Sequence, residues 1–84
     1  MGSYKSYPID SLYKTLGRII KTIRMESNMS KVDLASIVGY RSSMSLARIE
    51  SGKQKIPLHV LFNVCDALDV DVVDIVEHVL RNLR

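Results

Sequence analysis

The chain has 84 residues, 46% of them hydrophobic, and a net charge of +3. That length suits one small domain, and the apolar share is too high for wholesale disorder. A single cysteine excludes an internal disulfide, and no Cys/His cluster has metal-ligand spacing, so no cofactor is expected.

Charge is unevenly spread. Residues 1–55 carry ten Lys/Arg against four Asp/Glu, net +6, and residues 56–84 carry two against five, net −3. The first part suits a polyanion and the last does not. The longest uncharged apolar stretch, which starts at Ile56, is too short to span a bilayer and includes Pro57, His59 and Asn63. The start of the chain lacks the apolar core of a secretory signal. Gly2 with Ser6 fits the loose myristoylation pattern, but nothing else points to a membrane. The expectation is a soluble, cytoplasmic protein with no membrane role.

Residues 1–9 have no helical period and are expected to form an arm ahead of a domain at 10–84. Met1-Gly2-Ser3 resembles an expression remnant. Helix 1 is expected from Asp10 or Ser11, either of which can cap it. Leu12, Leu16, Ile19, Ile20 and Ile23 form its apolar stripe, and Asn28 is a fair left-handed stop. Ser30-Lys31-Val32-Asp33 reads as a capping box opening a short helix, about 31–38, that closes at Gly39. Helix 3 follows, capped by Ser42 or Ser43 and running to about Ser51, with Gly52 ending it. After a basic loop, Pro57 suits the first turn of helix 4, which buries Leu61, Val64, Cys65 and Leu68. Asp71 caps helix 5, where Val72, Ile75, Val76, Val79, Leu80 and Leu83 recur at helical spacing. The fold class is all-α, five helices and no sheet.

Two short helices joined by a tight glycine turn, with small Ala35 where they approach, follow helix-turn-helix grammar. Leu46 and Ile49 set the inward face of helix 3. At 100° per residue, Met44, Arg48 and Ser51 then point outward, with Ala47 on one flank and Ser43 in the first turn. The arginine fork can bond guanine O6 and N7 together, which makes Arg48 the strongest base-reading candidate, and Met44 suits a thymine methyl. Backbone contacts fall to the first turn of helix 2, with Ser30 and Lys31, and to Ser42 and Ser51, with Arg41 a weaker candidate. Lys5, Tyr4 and Tyr7 in the arm are weaker candidates.

Leu16-Gly17-Arg18-Ile19-Ile20-Lys21-Thr22-Ile23-Arg24, then residues 29–35 (Met-Ser-Lys-Val-Asp-Leu-Ala), then residues 47–52 (Ala-Arg-Ile-Glu-Ser-Gly) resemble the phage repressor/Cro type of helix-turn-helix domain, also called the xenobiotic-response-element family. Residues 67–75 are similar to that family's approach to its last helix, so the resemblance spans roughly 12–76. It implies a five-helix, commonly dimeric DNA-binding transcriptional regulator. It maps base reading onto Ser43, Met44 and Arg48, and sugar-phosphate contact onto Lys53, Gln54 and Lys55. It also implies a partly buried structural ion pair between Arg24 and Glu50. One departure stands out: seven steps separate Gly39 from Leu46, where the family usually has six. The extra residue is placed at Arg41, leaving Ser42 as the cap; the alternative is a helix that starts earlier and includes Arg41.

The expected function is sequence-specific binding of double-stranded DNA, as a repressor dimer on a palindromic site. One short recognition helix covers too few base pairs for a genome-scale search. Helix 5 also carries more apolar positions than a small domain needs, and Val73, Val76, Val79, Leu80 and Leu83 are the candidate dimer interface, flanked by Arg81 and Arg84. An enzyme is not expected, since His59 and His78 fit no acid-base or metal spacing and Asp66, Asp69, Asp71, Asp74 and Glu77 read as caps and a solvated face. The rival is an antitoxin-like or other interaction module of the same fold with a protein partner. A protein-binding centre should be more apolar than Ser43, Arg48, Ser51, Lys53 and Lys55.

Overall fold

The computed structural model describes residues 8–83. They form α1 (Ile9–Glu26), α2 (Lys31–Ile37), α3 (Ser43–Glu50), α4 (Leu58–Ala67) and α5 (Val72–Asn82), with no strand among the described residues. Tyr4, Lys5, Tyr7, the Gly2/Ser6 pattern and Arg84 lie outside the described residues.

Local sequence sets most boundaries. Ser30 Oγ accepts from Asp33 N–H at 3.0 Å, Ser42 Oγ from Met44 N–H at 3.1 Å, and Asp71 Oδ1 from Val73 N–H at 2.8 Å. Each bond satisfies a donor that a helix start otherwise leaves unpaired. The start of α1 departs from expectation. Neither Asp10 nor Ser11 caps it; Pro8 does, without a side-chain bond, and the helix begins at Ile9. The ring presets φ at −64°, and the Pro8 carbonyl accepts Leu12 N–H at 3.0 Å. Asp10 falls instead in the first turn, where a carboxylate suits the helix dipole. Pro57 is likewise the N-cap of α4 rather than a member of its first turn.

The first four helices end alike. A left-handed residue follows each C-cap: Asn28, Gly39, Gly52 and Asp69, with φ of 56°, 92°, 77° and 57°. Two N–H groups then turn back to the last turn, as when Lys53 N–H bonds Arg48 O at 2.9 Å and Gly52 N–H bonds Ile49 O at 3.1 Å. This is the Schellman arrangement. Three of these stops are legible in the sequence; Asp69 is not.

α2 packs on α3, α1 lies against α3 and α5, and α4 touches α2 and α5. Ile20, Leu34, Leu46, Ile49 and Val64 are the most deeply buried side chains. Cys65 belongs to the same core. Burial, and after it the Asp71 carboxylate, push its thiol pKa upward, which disfavours the reactive thiolate.

One assignment on α5 needs correction. Val79 is only 5% exposed and belongs to the core, so it offers a second copy little surface of its own beyond the groove that it lines with Val76 and Leu80. Ile75 and Val79, one turn apart, are the two buried residues of α5. Val73, Val76 and Leu80 are about half exposed or more, and Leu83 is partly buried against the core. No helix among the described residues is long and apolar enough to cross a membrane.

Candidate nucleic-acid interface

With Leu46 and Ile49 turned into the core, the opposite side of α3 faces solvent. Met44, Arg48 and Ser51 are exposed there, while Ser43 and Ala47 are half-buried on its flanks. α3 begins at Ser43, so the extra residue of the turn stays outside the helix: Arg41 lies exposed in a bend ahead of the Ser42 cap.

The backbone beneath Arg48 is fixed. Its carbonyl accepts Lys53 N–H at 2.9 Å, Gln54 N–H at 3.3 Å and the Ser51 hydroxyl at 3.1 Å. The basic loop is therefore fastened to the same residue that projects the guanidinium. Lys53 and Lys55 are exposed and Gln54 is half-buried. Ser30 is exposed; its hydroxyl oxygen is occupied by Asp33 N–H, which leaves the O–H free to donate. Lys31, half-buried, follows it.

The only ion pair among the described residues is Arg24–Glu50. Arg24 Nε donates to Glu50 Oε2 at 2.7 Å and Nη2 to Oε1 at 3.1 Å, a bidentate fork, with both side chains almost fully buried. Nη1 donates to the Met29 carbonyl at 2.7 Å. One guanidinium thus ties the end of α3 to α1 and to the turn that leads into α2. Lys31, Arg41, Arg48, Lys53 and Lys55 have no anionic partner among the described residues. Unpaired cations such as these can meet a phosphate backbone, releasing its counterions, without first breaking internal pairs.

Gly17 sets how closely α1 meets α3. A β-carbon there would lie 2.7 Å from the Glu50 carbonyl oxygen and would press harder still on that of Ile49. The signal for this contact was a glycine in mid-helix, which costs about 1 kcal/mol against alanine and so calls for a packing reason.

No group of three or more His, Cys, Asp or Glu among the described residues is arranged to hold a metal ion. Residues 20–75 match a helix-turn-helix family model. Among solved structures the chain is similar to the clp gene regulator ClgR from Corynebacterium glutamicum. One ClgR structure is 25% identical, has a TM-score of 0.80, and is matched over 87% of this chain and 77% of that one. A second, at 23% identity and a TM-score of 0.79, is matched over 87% of this chain and 94% of that one and shows the same fold. No curated protein matches the chain.

Proposed function

Because the chain belongs to the helix-turn-helix family, of the phage repressor/Cro type, we propose that it is a cytoplasmic repressor that reads a palindromic double-stranded DNA site as a homodimer. Membership of this family supports DNA-binding transcriptional regulation. Base reading falls to Arg48, with Ser43, Met44 and Ala47 beside it. Phosphate contact falls to Ser30, Lys31, Arg41, Ser42, Ser51, Lys53, Gln54 and Lys55. Bound across one face of the duplex, such a dimer excludes other proteins from the same groove.

The observation that carries the reading is Arg48 itself: exposed, without an ion-pair partner among the described residues, and rooted in a carbonyl held by three hydrogen bonds. Pairing of two copies is supported by α5. Val73, Val76 and Leu80 are 59%, 47% and 48% exposed. Val76 and Leu80 also edge an apolar groove of about 220 Å³ that Leu12, Tyr13, Leu16, Leu61 and Val79 complete. A two-fold dimer of this fold sets its recognition helices about 34 Å apart, one turn of DNA.

Arg48→Ala is expected to cost about 1–3 kcal/mol on the preferred site and to relax one base position. Binding titrations against that site and against random duplex check it. An equal loss on both would make Arg48 a phosphate contact. The competing reading, a module of the same fold that binds a partner protein, draws on Leu58 and Phe62 of α4, exposed at 68% and 50%. It expects no site preference for Arg48→Ala to relax.

A further inference from the structure

The basic surface does not end with the loop. Gly52 has φ of +77°, and a β-carbon built on it would lie 2.5 Å from Lys14 Cγ, 2.7 Å from Lys14 Cα and 3.0 Å from Lys14 N. The backbone of α1 at Lys14 therefore rests directly on the residue that precedes Lys53. Only a glycine fits there, for two independent reasons: the left-handed backbone and the absence of room. The start of the Lys14 side chain lies against Gly52, at the root of the loop that carries Lys53 and Lys55, and the residue as a whole is exposed. Lys14 has no anionic partner among the described residues.

The next cation on α1 behaves differently. Arg18, one turn further along α1, lines a groove with His78 and Asn82 of α5 and is directed toward that helix rather than the loop. Two exposed cations one turn apart on the same helix thus face different neighbours.

We propose that Lys14 is a further DNA-phosphate contact, which extends the backbone-gripping strip from the loop after α3 onto α1, and that Arg18 is not part of it. The inference rests on the DNA-binding reading above. It adds to that reading a contact from outside the helix-turn-helix unit, held in place by the Lys14–Gly52 packing. Because α1 and the loop touch through backbone, the strip moves as one body with α3, and Lys14 meets the phosphates in the same docking that seats Arg48.

The test is the salt dependence of binding by the full chain to a mixed-sequence duplex. Lys14→Gln keeps most of the aliphatic stem and removes the charge. It should weaken binding and lower the slope of log K against log salt by about 0.9, one phosphate contact. Lys14→Arg should keep the wild-type slope, and Arg18→Gln should keep it too. Lys53→Gln with Lys55→Gln should lower it by about 1.8. A wild-type slope for Lys14→Gln beside a reduced one for the loop pair overturns the role of Lys14 and leaves the DNA-binding reading standing. Equal reductions for Lys14→Gln and Arg18→Gln also overturn it, since only general charge would then be at work. No reduction for the loop pair removes the phosphate strip altogether. Urea midpoints of every variant show that the fold is intact, and Lys14→Arg separates lost charge from disturbed packing at Gly52.

Discussion

Replacing Glu50 with leucine is expected to destabilise the domain by about 3–5 kcal/mol, the loss that follows when one partner of a buried pair is removed. Arg24 is left with its charge among buried groups and loses both arms of its fork, at 2.7 and 3.1 Å. Arg24→Leu should cost a similar amount. It strands the Glu50 carboxylate and also removes the donor from the Met29 carbonyl. The double variant, with both charges gone, should be more stable than the sum of the two losses implies. Urea unfolding of the four proteins measures the coupling. Single losses of less than about 1 kcal/mol, as for exposed pairs, would contradict the role assigned to this pair. A small domain has only about 5–15 kcal/mol to lose, so a single variant should already melt at much lower temperature. DNA binding should fall with it, because the pair holds the C-terminal end of α3.

Gly17→Ala is the second large effect, and its sign is diagnostic. In an exposed helix interior this change stabilises by about 1 kcal/mol. Here the new methyl group meets two backbone carbonyls, those of Ile49 and Glu50, which cannot rotate away as a side chain would. Overpacking of this kind costs about 1–3 kcal/mol, and α1 must lift from α3 to relieve it. Thermal melting gives the answer directly. A raised melting temperature would show that α1 does not approach α3 as closely as Gly17 allows.

Both effects sit where neighbouring helices meet: the family resemblance implies the Arg24–Glu50 pair, which forms, whereas the Gly17 contact is marked only by a glycine in mid-helix. Periodicity shows that Leu46 and Ile49 turn inward, and capping chemistry gives the starts of α2, α3 and α5, because these depend on residues a few positions apart. Asn28, Gly39 and Gly52 mark stops for the same local reason. Asp69 escapes notice because aspartate takes the left-handed conformation less readily than glycine and is common in many other settings. Pro8 escapes as the start of α1 because Asp10 and Ser11, better caps by type, stand next to it in the chain. Contacts between distant segments leave fainter marks. Nothing local pairs Lys14 with Gly52, or assigns Val79 to the core while Val76 and Leu80 stay exposed, since all three lie on one apolar stripe. The outward residues of α3 are legible once its inward face is set. Their attachment to the loop through the Arg48 carbonyl emerges only from the three-dimensional arrangement.

The most direct measurement is selection of bound duplexes from a random pool by the wild-type chain. A dimer that reads with α3 should enrich two inverted half-sites whose centres lie about one helical turn, or 34 Å, apart. Each half should carry a guanine at the position that Arg48→Ala relaxes. Enrichment of a single unpaired half-site would contradict the dimer, and a pool that stays random would contradict sequence reading by α3.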